Sequence, residues 1–67
     1  MKSMLKAVLA EHHMTMRRLA EAVGVHEVTV SRWATDRGIS SMSLRTAEEV
    51  ARVVGCRVSD LYREGGE

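Results

Sequence analysis

Apolar residues recur at helical spacing through the first half of the chain, and the polar positions between them indicate where each helix ends. The pattern predicts three helices there, over about 3–12, 16–23 and 27–35. Thr15 is a suitable N-cap for the second helix, because its hydroxyl can accept a backbone N–H. The predicted inner faces carry Leu5, Val8 and Leu9, then Leu19, Ala20 and Val23, then Val30 and Trp33.

The second half of the chain begins with a segment rich in turn residues. Residues 36–42 read DRGISSM, and their Gly, Ser and Asp predict a loop, the least ordered part of the interior chain. Ser43 is expected to cap a helix over about 44–54, which Gly55 ends. A final short turn starts at Ser59, and the tail over about 64–67 is expected to fray. The predicted core face of this helix carries Leu44, Ala47, Val50, Ala51 and Val54.

Length and composition indicate one small all-α domain over residues 1–67. Hydrophobic residues make up 45% of the chain, which is enough for a core and too many for disorder. The chain contains no Pro and few alternating apolar runs, which favours helices over strands. No targeting or membrane-spanning segment is recognised, so a cytoplasmic location is expected.

Catalytic and cofactor chemistry have little support in the sequence. Cys56 is the only cysteine, so no intrachain disulfide can form, and we expect a small buried hydrophobe there. His12 and His13 are adjacent and cannot face one ligand from a regular helix, so no metal site is expected. No arrangement of nucleophile, base and orienting acid is recognised either. We therefore expect no enzyme activity and no cofactor.

The stretch from Thr15 to Trp33, TMRRLAEAVGVHEVTVSRW, is the most informative. It divides at Gly24, where a helix can end with positive φ at little cost for glycine. Ala20 is small, as the close crossing of two helices requires. Two helices joined by a glycine-containing turn predict a helix-turn-helix over about 16–35, whose second helix can lie in the major groove of double-stranded DNA. An ordinary pair of packed helices without a ligand is the alternative.

Charge supports this interpretation only weakly. The formal net charge is +1 and the sequence pI is about 8.0, whereas many nucleic-acid-binding domains are strongly basic. Basic residues outnumber acidic ones through Arg37, and acids slightly outnumber bases after it. We expect a small electrostatic footprint on DNA and poor binding by a lone monomer.

Nearly the whole chain, from about Leu5 to Tyr62, resembles the lambda-repressor-like, Cro-type family of regulators, also called the XRE family. The resemblance rests on RRLAEAVGV for the second helix and turn, VTVSRW for the recognition helix, and the closing pattern of Gly55 followed by Val58 and Asp60-Leu61-Tyr62. It implies a compact five-helix domain. It also implies a transcriptional regulator that binds a palindromic operator as a homodimer. Among such regulators, a repressor is expected.

The resemblance implies that Glu27, Val28 and Arg32 read bases. An Arg can fork onto guanine O6 and N7, a Val can contact the thymine methyl, and a Glu can accept from cytosine N4. Each has an alternative: Arg32 as a solvated surface residue, Val28 as a scattered apolar residue, and Glu27 as an acid that stabilises the helix dipole.

Phosphate contacts are expected from hydroxyls, imidazole, cations and backbone N–H groups near helix starts. The residues proposed for this role are Thr15, Met16, Arg17, His26, Thr29 and Arg37. The chain departs from the family pattern at Met16 and Glu27, where Gln is usual. It also departs in the loop after Trp33, which is longer than usual and lacks the common Pro.

Dimerisation is predicted around Val58, Leu61 and Tyr62. A different class of function remains open: a protein-interaction module, such as an antitoxin or anti-repressor, that uses the same fold to bind a protein partner. The low net charge and the Met16 substitution favour this alternative. An apolar patch formed by Met1, Met4, Met16 and Met42 would then serve a partner.

Overall fold

Five α-helices and a small sheet make up residues 1–64, the part of the chain that the computed structural model describes. In chain order they are β1 (Lys2–Ser3), α1 (Leu5–Glu11), α2 (Met16–Val23), α3 (Glu27–Trp33), α4 (Asp36–Ser40), α5 (Leu44–Val54), a 3₁₀ turn (Val58–Asp60) and β2 (Tyr62–Arg63). The predicted five-helix, all-α fold class is confirmed. Apart from Glu64, the tail that was predicted to fray lies outside the described residues.

Helices α2 and α5 have the predicted bounds because local signals define both ends of each. The hydroxyls of Thr15 and Ser43 accept a backbone N–H from the first turn of α2 and α5, at 3.1 and 3.2 Å respectively. At the opposite ends, Gly24 and Gly55 are left-handed, with φ of 87° and 93°. Capping residues and the apolar stripe therefore agree at both helices.

The core lies between all five helices and the C-terminal segment. Trp33 is 9% exposed, so its predicted burial is confirmed. Leu44 is a correction, since it was predicted inside and is 68% exposed. It occupies the first position of α5, where the helix extends past the edge of the core. The buried apolar residues are Leu5, Val8, Leu9, Leu19, Ala20, Val30, Trp33, Ile39, Val50, Ala51, Val54 and Leu61.

The segment predicted as a loop is instead the helix α4. Thr35 has an extended backbone, and its hydroxyl accepts the N–H of Gly38 at 3.0 Å as an N-cap. Ile39 then enters the core, where it is 5% exposed. Because Thr35 caps α4, α3 ends at Trp33 and does not reach residue 35 as predicted. The cap and one buried side chain outweigh the local preference of Gly and Ser for turns.

The sheet corrects the prediction for the first helix. Ser3 was placed in that helix but pairs with Tyr62, while Lys2 pairs with Arg63, in antiparallel register. Helix α1 therefore begins at Leu5 and ends at Glu11, one residue before the predicted end. His13, two residues after the end of α1, has a φ of 55°. The strand β1 also packs against α4, so the N-terminal residues lie beside the end of α3.

Candidate nucleic-acid interface

Helices α2 and α3 are joined by a turn of three residues. The N–H groups of Gly24 and Val25 both donate to the carbonyl of Ala20, at 2.8 and 3.0 Å. Ala20 and Leu19 are buried at this crossing, with 3% and 0% exposure. The small alanine allows the close approach, and the left-handed glycine reverses the chain without strain. The two helices and their turn thus have the arrangement of a helix-turn-helix.

Helix α3 has one buried face and one exposed face. Val30 and Trp33 point into the core. At 3.6 residues per turn, the other face spans an arc of roughly 140°. Val28 is 62% exposed there, so this face carries one apolar side chain in contact with solvent. All four residues of this arc are exposed: Glu27, Val28, Ser31 and Arg32.

The structure therefore brings together the three residues predicted to read bases and adds Ser31, which the sequence analysis missed. Ser31 lies one turn beyond Glu27, as Arg32 lies one turn beyond Val28, so the four form two adjacent rows. The signal that identifies it is the same helical spacing, applied outward from Val30 and Trp33. A seryl hydroxyl can both donate to and accept from base edges.

Two exposed arginines lie on the helices before and after α3. Arg17 lies in the first turn of α2, where its Nε is 3.8 Å from Glu21 Oε2. Both side chains of this pair are more than two-thirds exposed, at 78% and 71%, so water and salt screen it and a phosphate can displace the Glu. Arg37 is exposed on α4, just beyond the end of α3. The sequence placed it in a loop, whereas the helix gives it a defined direction.

The other residues predicted at phosphates lie at helix starts. The Thr15 hydroxyl accepts the N–H of Arg18 and keeps its own proton available to donate. Met16 packs against the core with its side chain half-buried, so only its backbone N–H suits a phosphate. His26 is the exposed N-cap of α3, and within the described chain its ring makes no capping bond. Thr29 is half-buried on the side of α3.

The three residues predicted at the dimer interface differ in how deeply they are buried. Leu61 is 1% exposed and belongs to the core of its own chain. Val58 and Tyr62 are half-buried and line an apolar groove of about 200 Å³. The exposed side chains of Leu44 and Met1 lie on the same groove, where Met1 is 50% exposed. We call this surface the apolar groove, and its remaining lining residues are Ile39, Ser40, Met42, Ala47 and Leu61.

The predicted methionine patch does not form as one surface. Met1 and Met42 line the apolar groove, whereas Met4 lines a separate, more polar cavity with His12 and Cys56. Cys56 packs against the core but is only partly buried. Partial burial and the nearby Asp60 carboxylate raise the pKa of the Cys56 thiol, so it stays protonated and unreactive near neutral pH.

Among residues 1–64, no group of three or more His, Cys, Asp and Glu side chains is arranged to hold a metal ion. None of the helices described is long and apolar enough to cross a membrane.

Comparison with known proteins agrees with this geometry. A family model described as the Cro/C1-type HTH (helix-turn-helix) DNA-binding domain matches residues 4–63. The chain is also 34% identical over 62 residues to an uncharacterized HTH-type transcriptional regulator from Archaeoglobus fulgidus. That match covers 92% of this chain and 86% of the relative. No solved structure matches the chain.

Proposed function

The chain belongs to the Cro/C1-type HTH DNA-binding family of transcriptional regulators, and we propose that it reads a specific DNA sequence by inserting α3 into the major groove. The observation that carries this proposal is the exposed face of α3, where Val28 and Arg32 stand opposite the buried Val30 and Trp33. An exposed valine beside an arginine on a short, well-anchored helix fits a surface that contacts base edges.

Base contacts follow from the chemistry of the four exposed side chains. Arg32 is assigned to guanine, since its guanidinium can donate to both O6 and N7. Val28 is assigned to a thymine methyl group, and Ser31 adds a donor or acceptor between them. Glu27 either accepts from cytosine N4 or stabilises the positive end of α3, and substitution distinguishes these roles.

Phosphate contacts are proposed on both sides of α3. Arg17 and Arg37 supply positive charge, from the start of α2 and from α4. The hydroxyls of Thr15 and Thr29, the ring of His26 and the N–H of Met16 supply neutral donors at helix starts. These groups hold the protein on the duplex without reading sequence.

We further propose a homodimer that acts as a repressor on a palindromic operator. With a net charge of +1, one copy gains little from the phosphate backbone, so a second reading helix raises affinity. The apolar groove, with Leu44 and Tyr62 on its rim, is the surface that we assign to the dimer. The two half-sites then lie about 34 Å apart on one face of the DNA. The repressor role rests on the family resemblance, and the compartment proposed is the cytoplasm, where such a regulator meets DNA.

Selection of bound sequences from random double-stranded DNA tests this function. We expect an enriched palindrome whose half-sites are separated by about one helical turn, roughly 10 base pairs. Sedimentation of the same protein is expected to show a dimer, at least when DNA is bound. If no sequence is enriched even at low salt, DNA reading is excluded, and the protein-interaction module becomes the better interpretation.

A further inference from the structure

The start of α4 lies so close to the end of α3 that only glycine fits at position 38. A Cβ atom built on Gly38 overlaps the backbone carbonyl of Arg32 and lies 2.9 Å from the Thr35 hydroxyl oxygen. Gly38 does not have a positive φ, so the reason for glycine here is space and not backbone conformation. Since a backbone carbonyl cannot rotate away as a flexible side chain can, any larger residue must displace α4 from α3.

Thr35 stabilises the close approach of α3 and α4 with hydrogen bonds. Its hydroxyl donates to the carbonyl of Arg32 at 2.6 Å and accepts the N–H of Gly38 at 3.0 Å. Its backbone N–H donates to the same carbonyl at 3.0 Å. The Thr35 side chain thus bonds to the last turn of α3 and caps the first turn of α4. We call residues 32–38 the α3–α4 joint.

Ser3 holds the joint from the N-terminal strand. Its N–H donates to Asp36 Oδ1 at 2.9 Å, and its hydroxyl donates to the carbonyl of Trp33 at 2.7 Å. These two bonds reach the first residue of α4 and the last residue of α3. The angle between the two helices is therefore fixed from both sides, by the close approach at Gly38 and by the bridge from β1.

We propose that Gly38 is a positioning residue for DNA recognition. By allowing the joint to close, it sets Arg37 on α4 at a fixed place relative to Arg32 on α3. The inference rests on the proposed function, in which Arg32 reads a base and Arg37 holds a phosphate. A protein that makes both contacts at once needs this distance to match the spacing of the DNA groups.

Gly38→Ala tests the proposal because helix propensity and the steric clash predict different results. Alanine favours a helix over glycine, so propensity alone predicts an unchanged or more stable protein. The overlap of the added Cβ with the Arg32 carbonyl instead predicts that α4 moves away from α3. For the folded variant we expect about tenfold weaker binding to the selected site, with a salt slope lower by about one unit, as loss of one phosphate contact requires.

Gly55→Ala is the matched control. Gly55 has a φ of 93°, so alanine is strained there, but an added Cβ meets only ordinary contacts with His12. This variant is expected to lose stability yet bind DNA as the native protein does at temperatures where it is folded. Binding of folded Gly38→Ala within about twofold of the native protein would overturn the positioning role.

Amide NMR spectra separate this proposal from the proposed function. Gly38→Ala is expected to shift the amide signals of Ser3, Arg32 and Thr35 more than those of α5, whether or not DNA binds. If the native protein selects no DNA sequence, the proposed function fails. If Gly38→Ala leaves the amide signals of these residues unshifted, the close contact in the α3–α4 joint is disproved, and the proposal with it. If Gly38→Ala does not fold, Thr35→Val keeps the volume and removes the hydroxyl; native affinity in that variant would overturn the proposal.

Discussion

The hydroxyl of Ser3 donates a 2.7 Å hydrogen bond to the backbone carbonyl of Trp33, 30 positions away in the chain. Ser3 belongs to β1 and Trp33 ends α3, so the bond ties the N-terminal strand to the helix that we propose reads DNA. The same hydroxyl oxygen accepts the N–H of Leu5 at 3.4 Å, at the start of α1. One small side chain thus connects three elements.

Ser3→Ala is expected to lower the free energy of unfolding by about 1 kcal/mol, because the partly buried carbonyl of Trp33 loses a donor. In a domain of this size the melting temperature falls by roughly 4–8 °C for that loss. Thermal unfolding followed by circular dichroism measures it. Ser40→Ala is the control, since its exposed hydroxyl bonds to the carbonyl of Asp36 in its own helix. Equal losses in the two variants would contradict the role given to Ser3.

Trp33→Ala is expected to cost about 3–5 kcal/mol, which is enough to unfold a small domain. Among residues 1–64, Trp33 is the only large aromatic residue that is buried in the core, and its removal leaves a cavity between α3 and its neighbours. Trp33→Phe fills most of that volume and is expected to stay folded. Fluorescence gives an independent check: emission in the native protein is expected at shorter wavelength than in denaturant, and identical spectra would show that the indole is solvated.

Arg32→Ala is expected to weaken binding to the selected site by about 1–3 kcal/mol and to relax preference at one base pair in each half-site. Arg17→Ala and Arg37→Ala are expected to weaken binding to all sequences alike, and to lower the salt slope by about one unit each. Salt titrations on the selected site and its single-base variants measure both effects.

The decisive part of this prediction is the difference between Arg32, which should affect sequence preference, and Arg17 and Arg37, which should not. Arg32 lies on the exposed face of α3, whereas Arg17 belongs to α2 and Arg37 belongs to α4. If Arg32→Ala weakens every DNA variant equally, α3 is not the base reader.

Leu44→Glu and Val28→Glu separate the dimer surface from the DNA surface. The two side chains are similarly exposed, at 68% and 62%, so neither change is expected to disturb the core. A carboxylate at Leu44 lies in the apolar groove and is expected to shift sedimentation from dimer to monomer. A carboxylate at Val28 lies on the face that we propose contacts base edges, where the negative potential of DNA repels it, and it is expected to abolish DNA binding while the dimer persists. A dimer that survives Leu44→Glu would exclude the groove as its interface.

Sequence reasoning succeeds here where a local signal decides the structure. Thr15 and Gly24 define the ends of α2, and Ser43 and Gly55 define those of α5, because capping depends on neighbours in the chain. The exposed face of α3 is predicted for the same reason, since the burial of Trp33 fixes the direction of Arg32.

Sequence reasoning fails where distant contacts decide. Residues 36–40 carry the composition of a loop, and their helix depends on the burial of Ile39 in a core built from other elements. The strand pairing of Ser3 with Tyr62 joins residues from opposite ends of the chain, and two-residue strands leave no alternating pattern. Leu44 has the right spacing for the core, but only the structure shows that the core ends before it.

The pairing of β1 with β2 also determines when the fold can be completed while the chain is being synthesised on the ribosome. Helices α1 to α3 can form as they emerge, yet the partner of Ser3 is absent until Tyr62 has been added. The N–H of Met4 likewise waits for the carbonyl of Leu61, which it meets at 2.9 Å. Since non-local pairing comes late, a nascent chain carries α3, the helix that we propose reads DNA, before β1 is paired beside it. The support that β1 gives to the end of α3 is therefore complete only after Tyr62 has been synthesised.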